Sequence, residues 1–72
     1  MTAEEMVKDG IYRFLGRSIT LKDKIDVFKS KLDYLEFLSY LEEISNVKFD
    51  PKESEKFQTF EDIRMFILQK MI

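Results

Sequence analysis

Four positions in this 72-residue chain carry the local signal that starts an α-helix, and no other feature constrains its fold as strongly. At each one, a side-chain oxygen that can accept a hydrogen bond from the first helical turn stands three residues before a carboxylate. The four pairs are Thr2 with Glu5, Ser30 with Asp33, Asp50 with Glu53, and Thr59 with Asp62. Each carboxylate also lies where the positive end of a helix dipole favours negative charge. The chain is therefore expected to form four helices.

Apolar residues recur at helical spacing after three of these starts. The predicted inner faces contain Val7, Ile11, Phe14 and Leu15 in the first helix, Leu32, Leu35, Phe37, Leu38, Leu41 and Ile44 in the second, and Phe60, Ile63, Phe66, Ile67 and Met71 in the fourth. Gly16 and Asn46 suit the left-handed conformation that ends a helix, and Pro51 suits a first helical position. These signals predict helices near residues 3–15, 30–45, 51–56 and 60–71.

The segment 17–29 allows two interpretations. Apolar residues from Leu21 onward continue in the register of the second helix, so one helix from Leu21 to Ser45 is an alternative. Such a helix would overhang its partners in so small a domain, which favours a loop with one helical turn. With only two Gly and one Pro, the chain also has few residues for tight turns. We predict a single all-α domain over residues 1–72, a small four-helix bundle of three longer helices and one short helix.

The composition argues against most kinds of chemistry. The chain has no His and no Cys, which removes the usual general base, the thiolate nucleophile and the strongest metal ligands. We therefore expect no catalytic residue, no metal and no enzyme activity. A net charge of −2 argues against nucleic acid, whose partners need a basic footprint. No apolar run approaches the ~18 residues of a membrane span, and the acidic start is unlike a signal peptide, so we expect a cytoplasmic protein. We also expect a monomer.

The stretch from Ser30 to Glu43 resembles the second helix of acyl carrier proteins. Its sequence is S-K-L-D-Y-L-E-F-L-S-Y-L-E-E, beside the family's D-S-L-D-x-x-E-x-x-x-x-L-E-E. Residues 47–51 and 57–63 resemble the family's short third helix and the start of its fourth, and residues 4–16 resemble its first helix. The segments follow in the family's order, with a shorter loop before the second helix. The resemblance implies an acyl carrier protein-like bundle.

The departure from this family falls on the residue that carries its prosthetic group. In acyl carrier proteins the Ser of D-S-L holds phosphopantetheine, whose thiol carries the acyl or aminoacyl chain. Here that position is Lys31, which cannot form the phosphodiester, and Ser30 stands one residue earlier. The resemblance implies either a carrier-like module without a cofactor, in which Ser30 only caps the helix, or a working carrier with phosphopantetheine on Ser30. Consecutive helical residues point about 100° apart, so a transferase directed at position 31 would meet Ser30 at a different angle, which favours the first.

The resemblance also implies a docking face for enzymes that recognise carrier proteins. The residues at the corresponding positions are Lys31, Leu32, Asp33, Leu35, Glu36, Glu42 and Glu43. Charge complementarity of this kind mainly raises the association rate and fixes the register of the complex. The alternative is an ordinary solvated helix face. A phosphate held non-covalently by Lys31, or acylation of this lysine, is less favoured, and a metal site among the carboxylates is not expected because adjacent helical residues diverge.

Bulky aromatic residues stand where this family tends to hold smaller aliphatic ones. They are Phe37, Phe49, Phe57, Phe60 and Phe66. Large rings are expected to fill a core that a carrier would open around an acyl chain. We therefore predict a closed core without a chain-sized channel under the second helix. The alternative is that Phe replaces Leu or Ile with backbone adjustment and no functional meaning.

Overall fold

The computed structural model describes residues 1–71, and within that range the chain is all-α, as predicted. Its four helices are α1 (Ala3–Leu15), α2 (Lys31–Ser45), α3 (Pro51–Ser54) and α4 (Phe60–Met71). Two bounds differ from the prediction. Ser30 lies outside α2 as its N-cap, and α3 ends at Ser54 with only a turn continuing to Lys56.

Two of the predicted helix starts are reciprocal capping boxes. The Thr2 hydroxyl accepts from the Glu5 backbone N–H at 3.1 Å, and the Glu5 carboxylate accepts from the Thr2 N–H at 2.8 Å. Thr59 and Asp62 form the same pair of bonds at 3.3 and 3.1 Å. Each box satisfies backbone donors that a helix start would otherwise leave unpaired.

The other two starts are single caps. The Ser30 hydroxyl accepts from the Asp33 N–H at 3.2 Å, whereas the Asp50 carboxylate accepts from the Lys52 N–H at 2.9 Å. Glu53, the residue expected to close the box at α3, instead lies 3.8 Å from the Lys56 ammonium. All four caps are therefore present, two of them in a simpler form than the pattern predicts.

The predicted terminators of α1 and α2 both adopt the left-handed conformation. Gly16 has φ 71° and donates its N–H to the Tyr12 carbonyl, and Asn46 has φ 59° and donates to the Glu42 carbonyl. Asn tolerates this region better than most residues because its short polar side chain can bond locally. The two longest helices end where the sequence indicates.

Residues 17–29 form a loop with one 3₁₀ turn at Ile25–Val27, so the alternative of a single long helix is wrong. The loop is held against the start of α4 by backbone hydrogen bonds. Ile25 N–H donates to the Gln58 carbonyl at 3.0 Å, and Glu61 N–H donates to the Leu21 carbonyl at 2.8 Å. Because Leu21 is also buried, this segment is anchored at its centre.

The core lies where α1 packs against both α2 and α4. Its wholly buried side chains are Val7, Ile11, Phe37, Leu41, Phe60, Ile63 and Ile67. Gly10 allows α1 to approach α2 closely, since a Cβ built there would stand 2.8 Å from Cε1 of Phe37. The aromatic ring thus occupies the space that a side chain at position 10 would need.

A polar contact at the edge of this core also joins α1 to α2. The Tyr40 hydroxyl donates a short hydrogen bond to the Asp9 carboxylate, which also accepts from Arg13 Nε at 3.1 Å. The bond from Tyr40 is the main cause that lowers the pKa of Asp9, and Arg13 lowers it further against an opposing effect of burial. Asp9 is therefore held in its charged form by two donors.

Four predicted core residues are instead exposed. The exposed fractions are 37% for Phe14, 65% for Leu32, 43% for Leu35 and 46% for Met71. Phe14 keeps one ring edge against Phe37, with 5.9 Å between the ring centroids. The predicted inner faces were wrong at these positions because helical spacing does not show where the neighbouring helix ends.

Candidate binding site along the second helix

The N-cap and the first residue of α2 present polar groups to solvent. Ser30 and Lys31 are both exposed, and the Ser30 hydroxyl is engaged by the Asp33 N–H as a helix cap. Lys31 forms no ion pair with any residue of the described range 1–71. The two residues at or beside the family's attachment position are thus accessible, but the hydroxyl already has a structural role.

Leu32 and Leu35 form an exposed apolar pair directly after this cap. They are spaced three residues apart and therefore lie on neighbouring turns of one face. Glu36 is exposed beside them, and Glu43 is exposed two turns further along the same side. This arrangement places an apolar centre next to charged residues, as is typical of protein contact surfaces.

The structure divides the predicted acidic residues into two kinds. Glu36 and Glu43 have exposed side chains. Asp33 and Glu42 are partly buried, and the Glu42 carboxylate accepts the Phe49 N–H at 2.6 Å. Glu42 thus fixes the chain that follows α2, so it contributes to folding as well as to the local charge.

A groove of about 520 Å³ runs between α2 and the segment that contains α3. Sequence reasoning did not predict it. It is open to solvent and is lined by Ile25, Lys31, Tyr34, Leu35, Leu38, Ser39, Glu42, Phe49, Pro51, Ser54, Glu55 and Phe57. Its volume lies within the range of small-molecule sites in proteins. Among these residues, only Lys31, Leu35 and Glu42 are assigned to a binding surface from the sequence.

Tyr34 connects the two sides of the groove. Its hydroxyl donates to the Ser54 carbonyl on α3 at 3.4 Å, and its ring packs against Phe28 at 5.7 Å between centroids. Burial raises the pKa of Tyr34 to about 12. The phenol is therefore neutral near pH 7 and remains a hydrogen-bond donor.

Aromatic rings fill the core beside the groove. Phe37 contacts Phe28 and Phe60 at 5.1 and 5.7 Å between ring centroids. A second cluster joins Phe49, Phe57 and Phe66 at 5.4 to 6.0 Å. The space under α2 is thus occupied by Phe37 and Phe60, while the open groove lies along the flank of the helix.

Within residues 1–71, no group of three or more acidic side chains is arranged to hold a metal ion. Among the helices of that range, none combines the length and apolarity required to cross a bilayer.

No family model matches the chain, and neither does any curated protein or solved structure. The resemblance to acyl carrier proteins therefore stays a prediction that depends on the residues quoted above.

Proposed function

We propose that this chain is an acyl carrier protein-like binding module that docks on partner enzymes of acyl or aminoacyl transfer. In this proposal it is a cytoplasmic monomer without a covalent phosphopantetheine arm. The observation that carries it is the exposure of Leu32 and Leu35 at the start of α2. These two residues lie where the resemblance implies partner docking.

The physical case for docking depends on what surrounds the apolar pair. Burial of an exposed aliphatic side chain releases about 25 cal/mol per Å², so two adjacent leucines can supply the centre of a small interface. Lys31 on one side and Glu36 on the other can fix the register of a partner that carries complementary charges. While the two leucines face water, the favourable free energy of burying their side chains is not gained.

The absence of the arm follows from the chemistry at the attachment position. The Lys31 amine cannot form the serine phosphodiester by which the family holds phosphopantetheine. The Ser30 hydroxyl could form it, but it lies one residue before the family's position and already caps α2 by accepting from the Asp33 N–H. Loss of such a cap typically costs about 1 kcal/mol.

A capture experiment with matched variants tests the docking proposal. The chain is immobilised as wild type, as the double variant Leu32→Ser with Leu35→Ser, and as the control Met65→Ser with Leu68→Ser. The control pair lies on α4 with similar exposure, 48% and 43%. Acyl- or aminoacyl-transfer enzymes are expected to be captured from host lysate by the wild type and the control, and lost with the α2 variant. Equal capture by all three proteins, or capture of no such enzyme, would count against the proposal.

The second candidate is a working acyl or aminoacyl carrier with phosphopantetheine on Ser30, serving fatty acid, polyketide or nonribosomal peptide synthesis. The observation in its favour is that the Ser30 side chain is exposed at the helix end where the family is modified. Incubation with a promiscuous phosphopantetheinyl transferase and coenzyme A, followed by an intact mass, tests it. A mass increment that disappears in Ser30→Ala but persists in Ser39→Ala, which changes an exposed serine within α2, would replace the first proposal with this one.

A further inference from the structure

The loop of residues 17–29 has a charge opposite to that of the rest of the molecule. It contains four basic and two acidic residues, whereas the rest of the chain contains eight basic and twelve acidic ones. The basic residues of the loop are Arg17, Lys22, Lys24 and Lys29. All four are exposed, and none forms an ion pair with any residue of the described range 1–71. We call residues 17–29 the basic loop.

The centre of the basic loop is fixed in position by its backbone. The Leu21 and Asp23 carbonyls accept from the first two N–H groups of α4 at 2.8 and 3.3 Å, and the Ile25 N–H donates to the segment before α4 at 3.0 Å. Lys22 and Lys24 alternate with these three anchored residues along the chain. A partner that binds here does not have to order the loop, which reduces the entropic cost of association.

An open cleft of about 610 Å³ lies where the basic loop meets α1 and α4. Its polar lining consists of Glu4, Lys8, Ser18, Thr20, Lys22 and Glu61. Glu4 forms an ion pair with Lys8 at 3.3 Å. Glu61 forms one with Arg64. Lys22 is the charged residue of this lining that has no ion-pair partner among residues 1–71, so an anionic group that enters the cleft meets its ammonium beside two hydroxyl groups.

The chemistry of the cleft fits a polypeptide better than a nucleic acid. Carboxylates in single ion pairs retain acceptor positions, so Glu4 and Glu61 can accept further hydrogen bonds from a ligand. A peptide backbone supplies N–H donors beside its acidic side chains, whereas a phosphodiester backbone has no donor and is repelled by both carboxylates. Within residues 17–29, all of which the structure describes, no aromatic ring is exposed on which a base could stack.

We propose that the basic loop and the cleft bind an extended acidic segment of a partner protein, with its carboxylates at the Lys22 and Lys24 ammonium groups and its backbone along the cleft. Each exposed pair of opposite charges contributes little by itself, so the interaction is weak and its affinity falls as salt is added. The surface includes neither Leu32 nor Leu35. Failure of the docking proposal would therefore leave this surface intact, and failure of this proposal would leave the docking proposal intact.

Fluorescence anisotropy with a labelled decapeptide of alternating Glu and Ala tests the proposal. The purified chain is expected to bind this peptide in low salt and not to bind its counterpart with Gln in place of Glu. Lys22→Glu combined with Lys24→Glu is expected to weaken binding about tenfold, since two attractions become repulsions. The control is Lys48→Glu combined with Lys52→Glu, which changes the net charge equally at two exposed lysines outside the cleft and is expected to have a much smaller effect.

Two further variants test the cleft and the independence of the two surfaces. Ser18→Trp places a ring in the cleft from an exposed position and is expected to weaken peptide binding by a factor similar to that of the double lysine variant. Leu32→Ser combined with Leu35→Ser is expected to bind the peptide as the wild type does. Circular dichroism of each variant confirms that the helices are retained.

The proposal is overturned by any of four results. The peptide does not bind the wild type at millimolar concentration in low salt, or the two double lysine variants weaken its binding equally, or Ser18→Trp binds it as the wild type does, or an oligothymidylate of the same length binds more tightly. The first excludes the surface, and the second makes net charge alone responsible. The third places the peptide outside the cleft, and the fourth assigns the basic loop to nucleic acid.

Discussion

The two apolar surfaces of α2 have the same kinds of residue and opposite environments. Phe37, Leu38 and Leu41 are 0 to 4% exposed, whereas Leu32 and Leu35 are 65% and 43% exposed. Both sets follow helical spacing, and sequence pattern alone assigns both to the core. The difference is that α1 packs against the side of α2 that carries Phe37 and Leu41, while no described residue buries Leu32 and Leu35. An apolar stripe on a helix is thus evidence for burial or for binding, and only the packing distinguishes them.

Truncation of a side chain on the buried surface of α2 should cause the largest loss of stability. Phe37→Ala is expected to lower the free energy of unfolding by about 3–5 kcal/mol, because it removes a fully buried ring that contacts α1 and Phe60. Urea denaturation followed by circular dichroism measures the change. A loss below about 1 kcal/mol would show that the two surfaces of α2 do not differ as described.

A smaller loss of stability is expected from a substitution in α1 at the position that contacts the Phe37 ring. Gly10→Ala gains up to about 1 kcal/mol of helix propensity but sets a methyl group 2.8 Å from the buried Phe37 ring. Overpacking costs typically about 1–3 kcal/mol, so a net loss of about 1 kcal/mol is expected in the same assay. Gly16→Ala is not a suitable control, since its φ of 71° adds backbone strain. A net gain in stability for Gly10→Ala would mean that the ring can move aside.

The polar edge of the buried surface should make stability depend on pH. Folding lowers the pKa of Asp9, mainly through the Tyr40 hydroxyl, so the stabilisation is present above the pKa of the unfolded carboxyl and is lost as pH falls through the folded one. Tyr40→Phe should be less stable than the wild type near neutral pH, and the difference should shrink towards about pH 3. Denaturation across this range measures it, with Tyr12→Phe as an exposed control. A difference that does not change with pH would exclude this contact as its cause.

The exposed surface should have the smallest effect on stability. Leu32→Ser and Leu35→Ser are each expected to change the free energy of unfolding by no more than about 0.5 kcal/mol, because both side chains already contact water. The same urea assay provides the number. A loss comparable to that of Phe37→Ala would indicate that these leucines belong to the core.

Local features of this fold could be predicted from the sequence because their determinants are neighbours along the chain. The caps at Thr2 and Ser30 and the terminators Gly16 and Asn46 depend on hydrogen bonds and backbone angles within a few residues. The all-α class and the loop at 17–29 follow from them. These predictions needed no knowledge of how the helices pack.

Features that depend on packing could not be predicted in the same way. The exposure of Leu32 depends on where α1 lies, and the groove depends on the distance that Tyr34 and Ser54 set between α2 and α3. The resemblance points to Lys31 because of its place in a sequence motif, whereas its position in the groove lining depends on the tertiary structure. Glu42 is a further example: the sequence predicts it for docking, but its carboxylate also accepts the Phe49 N–H, a contact that depends on the path of the chain after α2.

The backbone pairing between the 17–29 loop and the start of α4 has a consequence for how the molecule assembles. It joins residues 21–25 to residues 58–61 and so closes a loop that contains both α2 and α3, whose closure has an entropic cost that the local helix caps do not have. Ile25 is held by this pairing and also lines the groove. The shape of the groove therefore depends on the attachment of α4, although α4 contributes no residue to the lining.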